Sequence, residues 1–89
     1  MFNFFKKPTS EERLSKELAG AIQSTVNLAL KEFPFKPTQG MYVMMAINSC
    51  KQTARDKAPY LARKYDITVT QVYSVIDKCH KKALDYFLE

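Results

Sequence analysis

Tryptophan is absent from these 89 residues, and glycine, histidine and cysteine are scarce, with two Gly, one His and two Cys. Two glycines fall far below the usual share of roughly 7%, which argues against a turn-rich β architecture and for helices. With Cys50 and Cys79 alone there is no disulfide scaffold, and both are expected to be reduced and packed. The sole histidine, His80, follows Cys79 directly. On a helix the two side chains diverge by about 100° and cannot clamp one metal, so no metal is expected. Gly-rich phosphate loops, Ser-His-Asp sets and paired carboxylates are likewise missing, which predicts a protein without catalysis or cofactor. No run approaches the roughly 18 apolar residues of a membrane span. The apolar part of Met1–Lys7 is too short for a signal peptide, so a cytoplasmic protein that avoids membranes is expected. No repeat, low-complexity stretch or linker divides the chain.

What is present suits one modest core: 46% hydrophobic residues, among them five Tyr and six Phe. Fourteen basic residues oppose nine acidic ones, leaving a formal charge of +5. A field of that sign favours nucleic acid or an acidic partner.

The punctuation predicts four helices. Residues 1–8 form an N-terminal tail, whose Phe2, Phe4 and Phe5 are expected to dock, the alternative being a frayed tail that presents them to a partner, and residues 9–89 form a single helical domain. Pro8 precedes Thr9 and, three residues on, Glu12, which together spell a capping box. Leu14, Leu18, Ala21, Ile22, Val26, Ala29 and Phe33 then recur at helical spacing until Pro34 and Pro37 intervene. This stripe is expected to cover the core. Self-association into a homodimer through Leu14 to Ala21 is the alternative. A second helix is expected from Thr38, burying Val43, Met44, Ile47, Cys50 and Ala54. Because it is apolar around much of its circumference from Met41 to Ile47, it should lie centrally. A short third helix begins near Pro59 and ends about Tyr65. Thr68, with Gln71 three residues later, caps the last helix, whose apolar side is Val72, Val75, Ile76, Cys79, Ala83 and Phe87.

The segment from Ala58 to Asp77 fits a helix-turn-helix. Two short helices crossing steeply need a small residue at the crossing, supplied by Ala62, and apolar residues in the angle between them. Leu61, Tyr65, Ile67, Val72 and Val75 occupy those offsets, and Asp66 tolerates the left-handed conformation the turn requires. The fold class is therefore all-α, a four-helix bundle-like domain containing a C-terminal helix-turn-helix at about 58–77.

Lys31-Glu32-Phe33, Gly40-Met41-Tyr42, Ala46-Ile47 and Pro59-Tyr60-Leu61-Ala62-Arg63-Lys64-Tyr65-Asp66, continuing into Thr68, Thr70, Val72 and Ile76, carry a resemblance. From Leu30 to about Leu84 the chain resembles the DNA-binding effector domain of the sporulation stage-zero response regulator of spore-forming bacteria. The resemblance implies an all-helical domain whose last matching helix enters the major groove of a promoter. That family begins its recognition helix with Ser-Arg-Val-Glu-Arg. Thr70-Gln71-Val72-Tyr73-Ser74 stands here instead, keeping the packing valine and losing the charges. The family's receiver domain and its further helices have no counterpart in these residues.

On this basis Val69, Thr70, Gln71, Tyr73 and Ser74 are expected to face base edges, with Asp77 on the same face repelling phosphate. Lys51, Arg55, Lys57, Arg63, Lys64, Lys78 and Lys81, together with Lys82, are expected to face the phosphate backbone. The expected function is a small DNA-binding transcriptional regulator whose partner is double-stranded DNA. The rival is a helix-turn-helix module, a regulator or a mobile-element component, that binds protein. Val69 and Tyr73 suit that rival because apolar and aromatic side chains anchor protein interfaces.

Overall fold

The computed structural model describes residues 7–88, so the expected docking of Phe2, Phe4 and Phe5 lies outside the described residues. Within them the chain forms α1 (Ser10–Glu32), α2 (Lys36–Asp56), α3 (Ala58–Tyr65) and α4 (Val69–Leu88), with no strand. The fold class is all-α with four packed helices. α1, α2 and α4 pack on one another, and the short α3 leans chiefly on α4.

α1 starts as its sequence dictates. The Thr9 hydroxyl accepts from the Glu12 N–H at 3.1 Å, and the Glu12 carboxylate accepts from the Thr9 N–H at 2.9 Å. Two of the otherwise orphaned donors of the first turn are thereby satisfied. The stripe turns inward: Leu14 and Val26 are fully buried, Ile22 is buried, and Leu18 and Ala29 pack against the same cluster. A homodimer through this stripe would have to open the domain. Phe33, expected on the buried stripe, is instead partly exposed at the C-terminal end of α1, its ring stacked on Tyr42 at 3.9 Å.

α2 begins two residues before Thr38, because Pro37 fits the first turn, where a missing N–H costs nothing. Thr38 donates its hydroxyl to the Phe35 carbonyl at 3.2 Å. The helix does touch each of the other three. Its buried arc, however, is narrow: Val43, Ala46, Ile47 and Ala54, with Cys50 half-buried. Met44 was expected in that arc but sits one residue past Val43, about 100° around the axis, and is exposed along with Met41 and Met45.

The connection from α3 to α4 is a Schellman turn. Asp66 takes the left-handed conformation (φ 56°, ψ 48°), the Ile67 N–H donates to the Ala62 carbonyl at 3.0 Å, and the Asp66 N–H donates to the Arg63 carbonyl at 3.4 Å. Two residues later the Thr68–Gln71 capping box opens α4, at 2.8 and 3.0 Å. Leu61, Ala62, Tyr65, Val72, Val75, Ile76, Cys79 and Ala83 are buried in one cluster with the α1 and α2 core.

Glu17 of α1 ties the far end of α3 down. It accepts from Lys64 Nζ at 2.8 Å and from the Tyr65 hydroxyl. These bonds from Lys64 and Tyr65 hold the Glu17 carboxyl below its ordinary pKa, and the same carboxylate pushes the Tyr65 hydroxyl up. A depressed carboxyl stabilises the fold at pH values above its unfolded value of about 4.3, and that contribution is lost as pH falls through the lower folded value. Glu17→Gln should therefore melt below wild type at neutral pH, with the difference shrinking as acid protonates Glu17. A thermal-melt series across pH checks this, and a difference undiminished in strong acid would contradict it.

Candidate nucleic-acid interface

Because Val72, Val75 and Ile76 are buried, the opposite side of the first turns of α4 is directed outward. Thr70 and Ser74 are exposed there, and Val69 and Tyr73 each retain 37% of their surface. Gln71 is half-buried and uses its amide oxygen on the Thr68 N–H, which turns it back toward the cap. The predicted base-facing residues thus fall on one helix end, four of them open and Gln71 engaged in capping.

The predicted phosphate-facing residues divide into groups. Lys51 and Arg55 project from α2 to Asp77 of α4, with nitrogens 3.8 and 3.9 Å from the same carboxylate oxygen. The Arg55 guanidinium also lies over the Tyr73 ring, 5.1 Å from its centroid. These contacts join both sets of predicted residues through an acid that the sequence marks only as repulsive. Lys64 is directed to Glu17 at 2.8 Å, away from α4. Lys78 and Lys82 line a shallow cleft with Glu11, Glu12 and Thr9 at the acidic start of α1. Lys57, Arg63 and Lys81 are exposed and make no ion pair among the described residues. Arg63 lies in the last turn of α3, just before the turn that opens α4, whereas Lys57 caps the start of α3 and lines the α1–α2 groove with Glu17.

A polar notch beside this face is lined by Asn48, Lys51, Gln52, Arg55 and His80. His80 Nε2 is 2.7 Å from Asn48 Oδ1. Burial, and then the nearby Lys51, lowers the His80 pKa, while Asp77 raises it. Burial thus disfavours the charged imidazole, which contributes hydrogen-bonding capacity to the notch. Sequence reasoning missed this pairing because Asn48 and His80 lie on different helices and no local signal links them. Cys79 is buried with its sulfur 3.3 Å from the Ser15 hydroxyl, Cys50 is half-buried, and both are free thiols. Among the described residues no three His, Cys, Asp or Glu side chains are grouped to hold a metal ion, and no helix is long and apolar enough to cross a membrane.

No protein-family model, curated protein or solved structure matches the chain.

Proposed function

We propose that the protein binds double-stranded DNA through α3 and α4, as a small transcriptional regulator that acts by occupying its site, without turnover. The observation that carries this reading is the left-handed turn at Asp66 running straight into a capped helix. It leaves Val69, Thr70, Tyr73 and Ser74 outward while Val72 and Val75 lock α4 to α3. A helix held this way can lay its first turns in the major groove. There Thr70 and Ser74 pair with base edges, and Val69 meets a thymine methyl. Arg63, beside the turn into α4, grips a phosphate on the flank, and the net charge of +5 attracts the duplex from a distance.

Fluorescence anisotropy with a pool of labelled duplexes tests the proposal. Binding should be measurable at low salt, and log K should fall linearly with log salt, by about 0.9 per phosphate contacted. Arg63→Ala should weaken binding evenly across sequences and flatten that slope by about one. Absence of binding at low salt would overturn it. The stacking of Arg55 on Tyr73 favours a second reading, in which this face anchors a protein, since Tyr and Arg dominate interface energetics. In that case Tyr73→Ala would abolish the protein complex while duplex binding stayed absent.

A further inference from the structure

We infer that a second copy of this chain docks on the exposed methionine face of α2, forming a two-fold dimer. Met41, Met44 and Met45 are 56%, 46% and 58% exposed, and Leu28 and Phe35 are 55% and 66% exposed. Helix geometry makes Met41, Met44 and Met45 neighbours. The chain direction brings the rest alongside. Glu17 faces Lys57, and Ala21 and Thr25 face Ser49 and Cys50 across the α1–α2 groove, so the helices are antiparallel and Leu28 lies level with Met45. On the other flank His80 meets Asn48 and Asp77 meets Arg55, which sets the half-buried Leu84 level with Met44.

The size of this surface argues for a copy of the chain. Met41, Met44, Met45 and Leu28, each with about 100 Å² open, give roughly 400 Å² of neighbouring apolar area, within the range at which exposed patches on monomers are often functional. With Asn48, Gln52 and the Leu84 flank as a rim, the face approaches the roughly 800 Å² per partner of a standard interface. The outward row Met41, Met45, Asn48, Gln52 carries no charge over three turns, so two such rows can meet without burying one. Methionine side chains adapt to fill a self-complementary seam.

A second argument rests on the DNA reading, although the dimer itself does not. Antiparallel packing of α2 on its copy about Met44 places each Arg55, beside Tyr73, about 16 Å from the axis along the helix. The two Arg55–Tyr73 contacts then lie about 33 Å apart along the helix direction, on the scale of the one-turn spacing of half-sites on a duplex.

Sedimentation of the full chain without DNA tests the dimer, so its failure is separable from failure of DNA binding. The mass should rise from 10.3 kDa toward twice that value between micromolar and millimolar concentration. Met45→Glu should weaken the dimer at least tenfold at unchanged helix content. If Met45→Glu fails to fold, the wild-type methionine methyls, ¹³C-labelled for NMR, decide: those of Met41, Met44 and Met45 should shift with concentration. A single-copy mass at millimolar concentration, a Met45→Glu chain that dimerises as tightly as wild type, or methyl signals that ignore concentration would overturn the inference.

Discussion

Asp77→Asn should tighten duplex binding by about tenfold at low salt and steepen the salt dependence by one to two phosphates' worth. The Asp77 carboxylate holds Lys51 and Arg55 at 3.8 and 3.9 Å on the flank of the reading face, in the position a phosphate would take. All three side chains are at least partly open to solvent, so these ion pairs are weak and a phosphate can compete for both cations. Asparagine keeps the shape and removes the competing charge. Arg55, already steered over Tyr73, stays aimed at the groove side. A second readout needs no DNA. Asp77 raises the His80 pKa while burial and Lys51 lower it. Removing the acid should therefore shift the imidazole titration, followed by NMR, further down. Unchanged affinity and slope would mean that Lys51 and Arg55 take no part in the interface.

Leu14→Ala should cost about 2–5 kcal/mol. Leu14 is fully buried in the core cluster, so truncation leaves a cavity that the surrounding side chains can only partly close. A domain of this length has a total stability of about 4–13 kcal/mol, and the variant should melt at least 8 °C lower. Leu28→Ala, on the same helix but 55% exposed, is the control and should change monomer stability by less than about 0.5 kcal/mol. Urea unfolding at low protein concentration measures both. Equal costs would mean that α1 does not pack by its leucine stripe.

The parts of the fold legible in the sequence are those governed by neighbours along the chain. Thr9 with Glu12 and Thr68 with Gln71 are capping pairs three residues apart, and both formed. Asp66 was the residue best able to bear a left-handed turn, and it does. The stripe Val72, Val75, Ile76, Cys79, Ala83 could point only one way, because the rest of α4 is largely polar. α2 was harder to read. With apolar residues around its first half, nothing in the sequence says which of them gains a neighbour, so Met44 was expected inside and lies outside. The cations show the same limit. Arg63 and Lys64 are adjacent, but about 100° of helix rotation sends Lys64 to Glu17 of α1 and leaves Arg63 exposed. The link from Arg55 to Asp77 and Tyr73 joins helices separated by α3, and only packing creates it.

Amide chemical-shift mapping of the labelled chain titrated with a duplex tests the central claim most directly. The largest changes should fall on Arg63 and the stretch from Val69 to Ser74. Changes confined to α1 or to the methionine face, or none at low salt, would contradict the assignment of α3 and α4 as the DNA-binding surface.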